Sequence, residues 1–204
     1  MIVIVNIGMG NLGSIQNMIK RIGFDTEITD SKEKIINAEK IILPGVGSFD
    51  NGINNLKSAD LINILSDKAL NEKIPLLGIC LGMQLLFDES EEGRENGLGW
   101  IKGKSKKFNF NSSDDKLKVP HMGWNYVIKG RECSLTDSLL DNSKFYFVHS
   151  YYVVCDDENN SILKSNYGFD FTCGVNKENI YGVQFHPEKS HKYGMKLLEN
   201  FCKL

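Results

Sequence analysis

Cys80 sits at the joint of Leu76-Leu77-Gly78-Ile79-Cys80-Leu81-Gly82-Met83-Gln84-Leu85-Leu86, a run that begins as an apolar strand and ends as a helical pattern. Glycines stand two residues before it and two residues after. That is the layout of a nucleophile elbow, a sharp strand-to-helix turn that lifts one side chain out of the sheet edge. Gly78 and Gly82 are read as room for the turn and for close approach of a substrate to the backbone. A helix starting under the sulfur favours thiolate over thiol through its free N–H groups and its dipole. The N–H of Leu81 then points to where an oxyanion forms.

A cysteine nucleophile needs a base, and the base needs a group to orient it. Of four histidines, His186 has the most suggestive surroundings, Tyr181-Gly182-Val183-Gln184-Phe185-His186-Pro187-Glu188. Pro187 biases His186 toward an extended backbone. Residues two apart in an extended segment point to the same side. Glu188 therefore reaches the distal imidazole N–H, fixes the tautomer and favours the imidazolium, leaving the other nitrogen for Cys80. Pro44-Gly45-Val46-Gly47 offers a second oxyanion donor, since peptides flanked by glycine exchange a carbonyl for an N–H at low cost. Each feature alone has a plainer reading: a buried cysteine, an exposed strand end, a tight turn. Cys133, Cys155, Cys173 and Cys202 lack such settings and read as structural.

These residues need a scaffold that brings distant loops to one edge. Ile2-Val3-Ile4-Val5 reads as a buried strand, followed by a glycine-rich turn and a helical stripe of Ile15, Met18, Ile19 and Ile22. The turn Gly8-Met9-Gly10-Asn11-Leu12-Gly13 has Gly-x-Gly-x-x-Gly spacing, but that spacing alone is a weak sign of a dinucleotide site, and close packing or a surface for a partner is the preferred reading. Asp25 to Thr29 and Lys40-Ile41-Ile42-Leu43 read as strands, Lys32 to Ala38 and Asp50 to Leu70 as helical, and Lys73 to Ile79 as the strand into the cysteine. This alternation predicts a mostly parallel open sheet flanked by helices. Sites in such sheets gather beyond the carboxyl ends of the strands, where the Gly10 turn, the Pro44 loop and Cys80 all fall. Glu89 to Glu95 is a charge run that reads as a solvated loop. Lys104 to Lys118 reads as an exposed hairpin or loop. Phe145 to Val154, Ser161 to Leu163, Phe169 to Val175 and Ile180 to Phe185 read as antiparallel additions in the C-terminal half. His191 to Leu204 closes as a helix, with Met195, Leu198, Phe201 and Leu204 facing the core. The fold class expected is thus α/β, as one domain over residues 1–204.

Composition excludes several classes. A net charge of −2 gives no global case for nucleic acid or an anionic membrane. No apolar run approaches a membrane-spanning length, and Met1 to Ile7 is too short for a signal h-region. Five cysteines without a Cys-x-x-Cys pair argue against a disulfide framework or zinc site and for a reducing cytoplasm. No cofactor and no metal are expected.

Gly78-Ile79-Cys80-Leu81-Gly82-Met83-Gln84, paired with His186-Pro187-Glu188, resembles the class I (triad-type) glutamine amidotransferases. More narrowly, Pro44-Gly45-Val46-Gly47-Ser48-Phe49, Pro120-His121-Met122-Gly123-Trp124-Asn125 and Phe147-Val148-His149-Ser150-Tyr151 look like the glutaminase subunits of imidazole glycerol phosphate synthases, which work in histidine biosynthesis. The resemblance runs from the first strand to the last helix. It implies that Cys80 attacks L-glutamine, that His186 relays the proton and that Glu188 orients His186. It implies oxyanion contacts from Leu81 and the Val46 region. Glutamine contacts would come from Gln84, the Gly45–Gly47 backbone and the Ser150-Tyr151 backbone. It also implies a heterodimer in which ammonia passes to a (β/α)8 cyclase subunit, with Asn11, Met122, Trp124 and Asn125 near the docking face.

Two stretches depart from the pattern. Family members often carry an acidic residue and a tyrosine where this chain has Asn6-Ile7. The tail Glu188-Lys189-Ser190-His191-Lys192-Tyr193-Gly194-Met195 also resembles a paralogous branch that supplies ammonia to a sugar-modifying amidotransferase for surface polysaccharide or glycan synthesis. The acceptor therefore stays open at this point. A stand-alone γ-glutamyl hydrolase and a non-catalytic scaffold are the other readings. The Met122–Asn125 patch speaks against the first, and the three triad residue types against the second.

Overall fold

A computed structural model describes residues 1–110, 117–140 and 142–204. In chain order the N-terminal half runs β1 (Ile2–Val5), α1 (Leu12–Arg21), β2 (Thr26–Thr29), α2 (Lys32–Ile36), β3 (Lys40–Gly45), α3 (Phe49–Ser58), α4 (Ile62–Ser66), β4 (Leu76–Cys80) and α5 (Leu81–Gln84). The rest adds β5 (Glu89–Ser90), β6 (Gly103–Lys107), β7 (His121–Tyr126), β8 (Ile128–Lys129), β9 (Lys144–His149), β10 (Tyr151–Cys155), β11 (Ser161–Asn166), β12 (Asp170–Lys177), β13 (Ile180–Val183) and α6 (His191–Lys203).

The first strands are continuously apolar because both their faces are covered. Ile2 and Ile4 join one core with Ile15, Ile19, Leu197 and Phe201 from α1 and α6. Val3 and Val5 join the other with Phe49, Ile53, Leu56 and Leu65 from α3 and α4. The sheet order is β2-β1-β3-β4-β13-β12-β10-β6-β5, with β11 bonded to β12 and β8 to β11. Among its inner strands, β1, β3, β4 and β13 pair parallel, and β12 then joins β13 antiparallel. The α/β class, with parallel strands first and antiparallel strands later, is as expected.

Some elements differ from the sequence reading. Ile180–Val183 is a central parallel neighbour of β4 rather than an antiparallel addition. Strand direction is decided by how the chain crosses over, which local pattern does not encode. β6 is a strand of the main sheet, although Lys104 to Lys107 looks like loop. Its buried positions are Gly103 and Ser105, so no apolar alternation marks it. The 111–116 part of that stretch lies outside the described residues. β7, to which the sequence reading gave no element, pairs with β9 in a separate two-stranded sheet. In α6, Leu198 and Phe201 are buried as expected, but Leu197 and Asn200 join them, Met195 is half-buried and Leu204 is exposed.

Candidate active site

Three adjacent strands deliver the key residues. β4 lies between β3 and β13, and register places Gly45 opposite Cys80 and Val183 opposite Ile79. The ends of β3, β4 and β13 thus bring the Pro44–Gly47 loop, Cys80 and His186 to one edge. Cys80 has φ +57° and ψ −112°, outside the regions an ordinary L residue prefers. Such backbone persists only where surroundings impose it, and it marks the elbow. The surroundings here are backbone. A Cβ on Gly82 would lie 1.8 Å from the Leu43 carbonyl oxygen, and one on Gly78 would lie 2.6 Å from the Gly82 carbonyl oxygen. The two glycines therefore let α5 close onto β3 and β4. The space they leave is filled by protein, which differs from the expectation that substrate would use it.

His186 is anchored from several sides. Its backbone N–H donates to the Tyr146 carbonyl (2.9 Å), and its carbonyl accepts from Ser190 Oγ (2.6 Å). Its Nδ1 pairs with Glu188 Oε1 at 2.8 Å, both side chains being almost fully buried. Among the described residues neither His186 Nε2 nor Glu188 Oε2 has a hydrogen-bond partner. Burial opposes a charged imidazole here. The nearby Cys80 sulfur and the hydrogen-bonded, charged Glu188 carboxylate outweigh it and raise the pKa to about 10.

Cys80 and His186 open into one cavity of about 300 Å³, lined also by Val46, Gly47, Leu81 and Gln84 and by Ser150 and Tyr151. Gly45 is buried within β3 and does not line it. The loop after β1 packs beside the Pro44 loop, since a Cβ on Gly10 would meet Pro44 and Gly45. Asn11, next in sequence, is exposed.

Two residues belong here that the sequence reading passed over. Gln184 is fully buried. Its amide donates toward Cys80 Sγ at 3.7 Å and accepts from Gln84 Nε2 at 3.0 Å. The period-two rule that pairs His186 with Glu188 also puts Gln184 on that side, so the signal was present. Glu92 lines the cavity and accepts the Phe49 N–H at the start of α3 (2.8 Å). It was hidden in a charge run read as a solvated loop, whose first two residues, Glu89 and Ser90, instead form β5 against β6, with Ser90 buried.

Outside the cavity, Met122 and Trp124 are exposed on one face of β7, at 62% and 44%. Trp124 stacks flat on His191, ring centroids 5.3 Å apart. Asn125 occupies the alternate face. Its amide donates to the Asn166 carbonyl (2.7 Å) and toward His121 Nε2 (3.3 Å), so it does not project with Met122 and Trp124.

The family model described as glutamine amidotransferase class-I matches residues 3–204. The chain is 59% identical over 203 residues to "Imidazole glycerol phosphate synthase subunit HisH 2" of Methanococcus maripaludis, covering 100% of this chain and 99% of that protein. It is 50% identical over 204 residues to "Imidazole glycerol phosphate synthase subunit HisH" of Leptospira borgpetersenii, covering 100% of both. Among solved structures, a putative GMP synthase component from Thermoplasma acidophilum superposes with a TM-score of 0.74 at 20% identity, over 99% of this chain and 92% of that one. PurLQS from Thermotoga maritima gives the same TM-score and identity, over 99% and 97%. At that identity the structures speak for the fold alone.

Proposed function

The chain belongs to the class I glutamine amidotransferases, and from that premise we propose that it is the glutaminase subunit of an imidazole glycerol phosphate synthase, serving histidine biosynthesis. One domain, residues 1–204, carries the glutaminase site. The observation that carries the reading is the buried His186–Glu188 pair behind Cys80, at the ends of neighbouring strands and open to one cavity.

The chemistry follows from the groups present. Cys80 Sγ, as thiolate beside the His186 imidazolium, attacks the side-chain amide carbon of L-glutamine. Charge gathers on the amide oxygen, where the Leu81 N–H and the peptide around Val46 and Gly47 receive it. The C–N bond then breaks as His186 Nε2 gives its proton to the leaving nitrogen, and ammonia departs from a thioester. Water, losing a proton to His186, attacks the thioester and releases glutamate. Glu188 holds the imidazole tautomer through both steps. Gln84 and the Ser150-Tyr151 backbone seat the glutamine. The Glu92 carboxylate complements its α-ammonium group.

Ammonia passes to a (β/α)8 cyclase subunit that docks over the exposed Met122 and Trp124, with Asn11 and Asn125 at the mouth. An exposed aromatic and a neighbouring methionine suit a buried hot spot. Among the described residues no helix is long and apolar enough to cross a membrane, and five free cysteines fit a reducing cytoplasm. A second reading concerns the acceptor. His191, in the tail that resembles the sugar-modifying branch, stacks on Trp124 and so contributes to the same docking face.

The test is reconstitution with each candidate synthase. The histidine-pathway cyclase is expected to bind and to activate glutamine hydrolysis. Activation by a sugar-modifying synthase alone would transfer the assignment to the second reading. Cys80→Ala should abolish glutamine-dependent synthesis while the complex still runs on added ammonium. Loss of both activities would give Cys80 a structural role instead.

A further inference from the structure

Two buried histidines have no part in the chemistry above. His121 Nδ1 lies 3.0 Å from His149 Nε2, and His149 Nδ1 lies 2.8 Å from the Tyr151 carbonyl oxygen. The hydrogen-bond network fixes where each proton sits. A carbonyl can only accept, so His149 Nδ1 carries a proton. Asn125 can offer only its amide nitrogen to His121 Nε2, because its Oδ1 accepts the Tyr126 N–H and its Nδ2 donates to Asn166. His121 Nε2 is then an acceptor and its Nδ1 a donor to His149 Nε2. Burial keeps both imidazoles neutral, with pKa values lowered to about 4 for His121 and about 3 for His149.

The chain of bonds continues into the site. The Tyr151 carbonyl also accepts from Gln84 Nε2 (3.4 Å), which donates to Gln184 Oε1 (3.0 Å). That leaves the Gln184 amide nitrogen aimed at Cys80 Sγ (3.7 Å). At the other end His121 and Asn125 belong to β7, whose opposite face carries Met122 and Trp124. His121 itself does not line the cavity. Its ring stacks between Phe147 and Tyr167, with centroids 4.8 and 4.1 Å away.

Building on the glutaminase reading, we propose that His121 is a positioning residue for glutamine. It holds His149 in one orientation, and through it the Tyr151 carbonyl and the Gln84–Gln184 amide pair, and it ties that network to the docking strand. Without its donor, His149 Nε2 becomes a buried, unpaired acceptor and the imidazole must reorient.

Two variants separate positioning from packing. His121→Phe keeps a stacking ring and removes both nitrogens. His121→Asn keeps a donor near the position of Nδ1. In the complex, His121→Phe should raise the KM for glutamine about fivefold to tenfold, the loss of one ordered hydrogen bond. Ammonium-dependent synthesis should stay near wild type and Tm should fall by only a few degrees, the effect of one unpaired buried acceptor, while His121→Asn should stay within about twofold of wild type in KM, since its donor is retained. Saturable labelling of Cys80 by a glutamine-shaped diazoketone should show the same split in half-saturation rather than in maximal rate. Nitrogen-15 spectra of the isolated chain should show both imidazoles as neutral Nδ1–H tautomers at neutral pH. Equal KM values for both variants and wild type would overturn the proposal. So would equal losses tracking a fall in Tm, or an Nε2–H tautomer at His149. A wild-type complex that neither hydrolyses glutamine nor takes the label would instead remove the glutaminase reading, and the positioning role with it.

Discussion

Glu188 and Glu92 are both carboxylates at the same site, yet their surroundings set them different tasks. Glu188 is buried and spends Oε1 on His186 Nδ1. Its charge therefore acts on the imidazole and not on the substrate. Glu188→Gln keeps size and an acceptor oxygen but removes the charge that sustains the imidazolium. The variant is expected to lose about a hundredfold or more in kcat, with little change in KM, read by steady-state glutaminase assay in the complex. Glu92 is half-buried and borders the cavity. Glu92→Gln still accepts the Phe49 N–H, so the start of α3 should hold. On the role proposed for Glu92, what is lost is a charge-assisted bond to the α-ammonium, worth about 1.5–3 kcal/mol, which should raise KM about tenfold to a hundredfold with a smaller effect on kcat. If both variants changed kcat and KM alike, the division of labour would be wrong.

At the scale of elements, the elbow is a fit of backbone against backbone. Gly82→Ala drives a methyl into the Leu43 carbonyl, which belongs to β3 and cannot move without shifting the sheet. A loss of about 3 kcal/mol in denaturant unfolding is expected, with glutaminase activity falling as the Pro44 loop is displaced. Trp124→Ala should behave in the opposite way. Its ring is exposed and, among the described residues, stacks only on His191 and the edge of Tyr146. It should cost about 2 kcal/mol in affinity for the cyclase, measured by titration calorimetry, and almost nothing in Tm.

These elements also show what the sequence could convey. The elbow was legible because glycine at 78 and 82 and a strand-to-helix change in period are local features. The His186–Glu188 pair was legible because Pro187 fixes the backbone locally. The parallel pairing of β13 with β4 was not, although it is what brings His186 beside Cys80. It depends on a partner strand about a hundred residues away. β7 escaped notice because its buried face is His121, Gly123 and Asn125 rather than aliphatic residues. Glu92 escaped because a carboxylate in a cavity and one in solvent have the same sequence signature.

For the molecule as a whole, three buried histidines give stability opposing slopes with pH. His121 and His149 have pKa values lowered to about 4 and about 3, from an ordinary 6.5. Below pH 6.5 the unfolded chain takes up protons at these positions and the folded chain does not. Stability therefore falls as pH drops from about 6.5 toward 4. At pH 5 each histidine forfeits up to about 2 kcal/mol, and the pair about 2–4 kcal/mol because they share a bond. Carboxylates with lowered pKa, such as Asp50 and Asp88, lose their contribution only at more acidic pH. His186 works the other way. Its pKa is raised to about 10, so its contribution is complete below pH 6.5 and is lost as pH rises through about 10. Denaturant unfolding across pH should peak near neutrality. His121→Asn removes one titrating group and should flatten the acid limb between pH 6.5 and 4.5 without touching the alkaline limb. His186→Gln should do the reverse. An acid limb unchanged by His121→Asn would mean that His121 already carries a proton in the folded protein at pH 5.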